Sequence, residues 1–154
     1  MNDEQLLKQI KKDCLRLLTR REHSRKEIEQ KLLTKGYQWE QITTVLDELT
    51  KQSWQSDTRY AESYARMRRH KGFGPVRIGY ELSQQGISPD VVEQAMAATM
   101  DDWAGLLMQV YSKKFFVADV MDSNEQAKRS RFLLQRGFSG AMIASLFKQL
   151  TQSH

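Results

Sequence analysis

Apolar residues along this chain recur at intervals of three and four and do not alternate. That spacing gives an α-helix a continuous face to bury and gives a strand none. Leu7, Ile10, Cys14 and Leu17 or Leu18 form such a stripe on a first predicted helix, from about Asp3 to Arg21. Ser24-Arg25-Lys26-Glu27 has the form of a capping box, which predicts a second helix starting there. Ile42, Val45, Leu46 and Leu49 follow the i, i+3, i+4, i+7 pattern of a third. Ser56-Asp57 opens a fourth, carrying Tyr60, Ala61, Tyr64 and Met67 and broken at Gly72-Phe73-Gly74. Pro75 and Pro89 suit the first positions of a fifth and a sixth helix, where a missing N–H costs nothing. The sixth carries Val92, Ala95, Met96 and Thr99. A seventh begins near Asp101 or Asp102, with Trp103, Leu106, Leu107, Val110 and Tyr111 on its stripe. After a loop from Phe116 to Asp122, Ser123-Asn124-Glu125-Gln126 predicts the start of an eighth. Ser139 caps a ninth, whose Ile143, Leu146, Phe147 and Leu150 face inward.

These nine helices fall into triplets, because one segment occurs three times. It reads Ile28 to Tyr37, Ile78 to Ile87 and Arg129 to Phe138. Each copy has a leucine (Leu32, Leu82, Leu133) four residues before a glycine (Gly36, Gly86, Gly137). The glycines lie fifty and fifty-one residues apart. A fixed period of that size marks stacked supersecondary units, which present a binding surface and not a pocket. The predicted fold is all-α: an elongated, curved array of three tandem three-helix repeats spanning 1–54, 55–100 and 101–154 in one continuous module.

Composition narrows the function. The chain has 154 residues and no apolar run of the roughly 18 residues that would suggest a membrane span. Its first residues, Met1-Asn2-Asp3-Glu4, do not resemble a secretory leader. The single cysteine, Cys14, sits on an apolar stripe and reads as a buried thiol. A cytoplasmic monomer is expected. His23, His70 and His154 lie far apart, and neither H-E-x-x-H nor C-x-x-C occurs. No catalytic group, metal site or cofactor motif emerges, so the chain is not expected to be an enzyme.

Charge points to an anionic partner. There are 24 basic and 19 acidic residues, for a formal net charge of +5. Arg66, Arg68, Arg69 and Lys71 lie within six residues, with Arg77 just beyond. Glycines beside cations at a helix start can cradle phosphate, although the spacing of a nucleotide-binding P-loop is missing. A second cluster, Lys128, Arg129, Arg131 and Arg136, lies on the eighth helix, and a basic helix stripe is what tracking a nucleic-acid backbone requires. Arg20, Arg21, Arg25 and Lys26 add a third. Arg59 reads equally as a contact or as an ion pair with Asp57 or Glu62. Tyr60, Tyr64 and Phe132 fall on apolar stripes and read as core.

Four stretches together resemble the RecX family, the regulators of the RecA recombinase. They are Leu15 to Leu32, read as L-x-x-L-x-x-R-x-H-S-x-x-E-I-x-x-K-L; Ser56-Asp57-Thr58-Arg59-Tyr60-Ala61-Glu62-Ser63-Tyr64; Lys71 to Ile78, continuing through Glu81-Leu82 to Gly86-Ile87; and Phe132 to Phe138. Gln85 departs from the basic residue that the family often carries before the glycine. The resemblance implies tandem three-helix repeats lodged in the groove of a RecA filament on DNA and bridging its protomers. It further implies suppression of ATP hydrolysis, strand exchange and co-protease activity, with roles in DNA repair and the SOS response. Arg66, Arg68, Arg69, Lys71 and Arg77 are the first expected contacts with RecA or DNA, followed by Lys128, Arg129, Arg131 and Arg136. The alternative is a direct DNA-binding protein, either sequence-independent or akin to helix-turn-helix proteins, which would need no RecA.

Overall fold

The computed structural model describes residues 2–99, 102–116 and 121–152. Asp101 and positions 117–120, where the sequence predicts a helix start and part of a loop, lie outside the described residues. Among the described residues there are nine helices and no strand: α1 (Asp3–Arg20), α2 (Arg25–Thr34), α3 (Trp39–Lys51), α4 (Asp57–His70), α5 (Pro75–Gln84), α6 (Pro89–Thr99), α7 (Trp103–Lys114), α8 (Ser123–Gln135) and α9 (Gly140–Gln152). They form three helical triplets in chain order. No helix among the described residues is long and apolar enough to cross a membrane.

The starts follow from local chemistry. Ser24 and Glu27 close the expected capping box on α2. Pro75 and Pro89 are the first residues of α5 and α6. Asp102 caps α7 by accepting from the Gly105 N–H at 2.8 Å. The cap of α8 is Asp122, not Ser123, because the Asp122 carboxylate reaches the Glu125 N–H at 2.8 Å. Asn2 and Gln5 form a capping box on α1 that the stripe pattern had not signalled.

The repeated leucine–glycine spacing is a helix terminator. In the first copy the Gly36 N–H donates to the Leu33 carbonyl and the Tyr37 N–H to the Leu32 carbonyl. The same two bonds recur at Gly86 and Ile87, and again at Gly137 and Phe138. This is the Schellman motif, which needs a left-handed residue after the helix. All three glycines supply it, at φ +98°, +79° and +100°. The motif also favours an apolar pair across the turn. That pair is the conserved spacing of Leu32 with Tyr37, Leu82 with Ile87 and Leu133 with Phe138.

The helices assemble into two compact units, Met1–Ser63 with Leu82–Ala95, and Tyr64–Glu81 with Met96–His154. In the first, Ile10, Cys14, Ile28, Leu32, Ile42, Val45, Leu46 and Leu49 form the core. In the second, Leu107, Tyr111, Leu133, Phe138, Ile143, Leu146, Phe147 and Leu150 do so. Burial, reinforced by the charge of Asp13, pushes the Cys14 thiol up to about 11, so it is neutral and unreactive at neutral pH.

His23 is buried within the first unit. Its Nδ1 lies 3.1 Å from the Arg21 carbonyl, which can only accept, so Nδ1 carries the proton. Its Nε2 faces the Lys31 ammonium at 3.4 Å, which can only donate, so Nε2 holds a lone pair. The ring is therefore neutral, and burial holds its pKa below the ordinary 6.5. Between the depressed folded value and 6.5 the unfolded chain binds more protons, so stability rises with pH across that window. Asp13, Glu27 and Glu81 all titrate below their ordinary carboxylate values and do not contribute there. The urea midpoint is expected to fall between pH 7.5 and pH 5.5 for the native sequence. His23→Gln is expected to be less stable but nearly flat across that range. Parallel curves for the two would contradict this assignment.

Candidate functional site

A fourth Schellman turn ends α4. The Gly72 N–H donates to the Arg69 carbonyl and the Phe73 N–H to the Arg68 carbonyl, with Gly72 at φ +87°. Here Arg68 and Phe73 hold the places of the apolar pair in the other copies. The Arg68 guanidinium lies 3.8 Å from the Phe73 ring centroid, so a cation–π contact replaces the leucine contact. Arg77 and Arg136 approach the same ring at 4.5 and 4.7 Å.

Three guanidiniums on one ring need a counter-charge, which Glu81 supplies. Its two carboxylate oxygens accept from Arg68 Nε and Nη2, each at 2.9 Å, a bidentate pairing. Tyr64 donates its hydroxyl at 3.1 Å and Arg77 adds Nε at 3.4 Å. Burial alone would raise the Glu81 pKa. The Arg68 hydrogen bonds and charge, with Tyr64, outweigh it and hold the carboxyl below the usual range.

The start of α5 docks on the end of α8. The Gly74 N–H donates to the Arg136 carbonyl at 2.8 Å and the Val76 N–H to the Gly137 carbonyl at 2.9 Å. Donors left open by the start of one helix thus meet carbonyls at the end of another. Side chains lock the junction: Arg77 Nη1 reaches the Gln135 carbonyl at 3.0 Å, and Arg136 Nη1 the Lys71 carbonyl at 3.4 Å. The backbones pass so closely that a Cβ on Gly74 would overlap the Gly137 carbonyl, and one on Gly137 would overlap Arg77.

The structure separates the expected contact residues. Arg68, Arg77 and Arg136 converge on Phe73. Arg69 donates to the Thr99 carbonyl. Arg129 is only 5% exposed. Its guanidinium bonds the Tyr111 hydroxyl at 2.7 Å and Glu125 at 2.9 Å, and lies 4.6 Å from the Phe115 ring centroid. It therefore serves the interior of the second unit and is not on the basic surface expected of it. Arg66, Lys71, Lys128 and Arg131 are exposed. Among the described residues Lys71, Lys128 and Arg131 have no carboxylate partner. In the first unit Arg21 pairs with Glu27, Arg25 with Glu29 and Asp47, and Lys26 caps the Gln84 carbonyl. Arg59 pairs with Glu22 at 2.9 Å, not with Asp57 or Glu62, while Asp57 accepts from the Arg25 N–H. Tyr60 is buried, Tyr64 half-buried on Glu81, and Phe132 packs against the second core.

Sequence reasoning passed over Lys113 and Lys114. They sit in the last turn of α7, beside Lys71 and Arg136, on a cavity of about 250 Å³. A paired lysine at a helix end was the available signal. No group of three or more metal-binding side chains occurs among the described residues.

Comparison with known proteins agrees with this architecture. Models of the first, second and third three-helix domains of RecX match residues 11–49, 56–96 and 101–147. The regulatory protein RecX of Legionella pneumophila (strain Corby) is 39% identical over 141 residues, covering 92% of this chain and 94% of its own. That of Pseudomonas fluorescens (strain SBW25) is 39% identical over 137 residues, covering 89% and 88%. The crystal structure of RecX from Lactobacillus salivarius superposes with a TM-score of 0.82 at 26% identity, over 95% of this chain and 97% of that one. A further crystal structure of regulatory protein RecX shares the fold, with a TM-score of 0.81 at 22% identity over 92% and 73%. With three matching domains in order and relatives alike over most of its length, this chain belongs to the RecX family of regulatory proteins.

Proposed function

We propose that this protein regulates the RecA recombinase. It binds the RecA filament on DNA, lies in the filament groove across neighbouring protomers, and suppresses ATP hydrolysis, strand exchange and co-protease activity. On this reading it acts in the cytoplasm, in DNA repair and the SOS response, and catalyses no turnover of its own. The observation that carries the reading is the succession of three RecX domains along the chain. The exposed cations Lys71, Lys128 and Arg131, without carboxylate partners among the described residues, support an anionic partner surface. They equally favour a second reading, direct phosphate contact with DNA in the absence of RecA.

The choice of variant matters for the test. Reversing Arg68 or Arg129 would break internal ion pairs, and the loss would report folding. Lys71→Glu, Lys128→Glu and Arg131→Glu combined are expected to leave the circular dichroism spectrum and Tm unchanged. Co-sedimentation with RecA filaments is expected to weaken by more than about tenfold, as loss of several phosphate or acidic contacts requires. Undiminished co-sedimentation would remove these cations from the interface. Binding to naked DNA that equals binding to filaments would favour the second reading.

A further inference from the structure

The cavity beside α7 lies wholly within the second unit and is built from three segments. The end of α4 and the residue after it contribute His70 and Lys71, α7 contributes Lys113 and Lys114, and the C-cap of α8 contributes Arg136. Leu106, Val110 and Phe132 form an apolar floor. No carboxylate among the described residues lines it. Lys71, Lys113 and Lys114 have no carboxylate partner among the described residues. Four fixed positive charges thus surround about 250 Å³. The lysines of α7 stand in its last turn, where the helix dipole favours a cation and offsets part of their mutual repulsion. An anion seated among them would relieve the remainder.

We infer that this cavity is a seat for a phosphate group. The inference builds on the reading of the basic surface as one that faces a polyanion, and it names the chemistry. Carboxylates are held best by a free, planar guanidinium fork. The one guanidinium here, Arg136, already bonds the Lys71 carbonyl and stacks near Phe73 and Phe132. The remaining donors are ammonium groups on flexible stems, point charges that suit a tetrahedral anion in any orientation. The volume falls just short of the about 300–1,000 Å³ typical of drug-sized pockets, which suits a phosphate with part of its sugar or a free diphosphate. Lys128, Phe132 and Arg136 share one face of α8, so cations continue from the cavity along a rise of about 12 Å.

The test uses the full chain without RecA. Pyrophosphate is titrated while backbone amide shifts are followed, and a twelve-residue oligothymidylate is titrated by fluorescence anisotropy. The variant is Lys113→Gln with Lys114→Gln. The control is Lys12→Gln with Lys51→Gln, which removes the same charge from the first unit, at exposed positions. Pyrophosphate is expected to saturate, with shifts concentrated at Lys71, Gly72 and Val110, and the variant is expected to weaken this about tenfold while the control changes it less than twofold. If the phosphate comes from a nucleic-acid strand, the variant also lowers the slope of log K against log salt for the oligonucleotide by about 1.4, two contacts at about 0.7 each. If it comes from a free diphosphate, the oligonucleotide responds equally to variant and control while pyrophosphate still discriminates them. Absence of saturation, equal effects of variant and control on pyrophosphate, or binding of hexaglutamate where pyrophosphate fails would overturn the inference. Phosphate bound here by a chain that leaves RecA untouched would keep this site and remove the regulatory reading.

Discussion

Gly137→Ala is expected to destabilise the second unit by about 3–6 kcal/mol, through backbone strain plus two broken junction hydrogen bonds. The residue sits at φ +100°, where alanine is strained by about 1–2 kcal/mol. A Cβ there would overlap Cβ of Arg77 and lie 2.8 Å from its backbone nitrogen. The start of α5 must then lift off the end of α8. That lengthens or breaks the bonds from the Gly74 and Val76 N–H groups. Gly36 provides the matched control, because it has nearly the same φ, +98°, and nothing within 4 Å of an added Cβ. Gly36→Ala should therefore cost only the strain, about 1–2 kcal/mol. Urea unfolding gives the two losses, and amide exchange at Val76 locates the first. Equal losses at the two glycines would show that the close approach contributes nothing.

Arg129→Ala carries the second large effect, a loss of about 2–4 kcal/mol from buried hydrogen bonding and packing. The guanidinium is covered by Tyr111 and Phe115 and linked to Glu125, the Tyr111 hydroxyl and the Phe116 carbonyl. Its removal takes away the closest partner of a buried hydroxyl and leaves a hole among aromatic rings. Arg129→Lys should recover little, because an ammonium has neither the flat face for the rings nor the fork for two acceptors. Lys128→Ala, one residue away but exposed, should leave stability within about 0.5 kcal/mol. If Arg129→Ala proved as stable as Lys128→Ala, the buried network would have no energetic role.

The neighbouring pair also shows where the sequence was legible. Caps, prolines and the leucine–glycine terminator are local devices, so Ser24, Pro75, Pro89 and the three repeat glycines announced helix ends correctly. Charged side chains are harder, because a basic residue on a helix looks alike whether it faces water or an aromatic interior. The repeat held the missing clue. Eight residues before its glycine the first two copies place Ile28 and Ile78, both buried, and the third places Arg129. Position in the repeat thus assigned Arg129 to the core while its charge assigned it to the surface, and position prevailed. Likewise Arg68-x-x-x-Gly72-Phe73 repeats the terminator with arginine in the leucine place. Glu81 and Arg136, which hold and extend that cluster, come from distant segments, and no local pattern links them. Lys113 and Lys114 acquire their meaning only when folding sets them beside Lys71.

The proposed role rests on what the chain does to RecA, and the most direct measurement is RecA ATP hydrolysis on single-stranded DNA, titrated with this protein far below the RecA concentration. A filament-groove regulator that bridges protomers is expected to lower the rate steeply at substoichiometric amounts, since one bound molecule affects several protomers. An unchanged rate, even at equimolar protein, would contradict the account and leave direct DNA binding as the function of the basic surface.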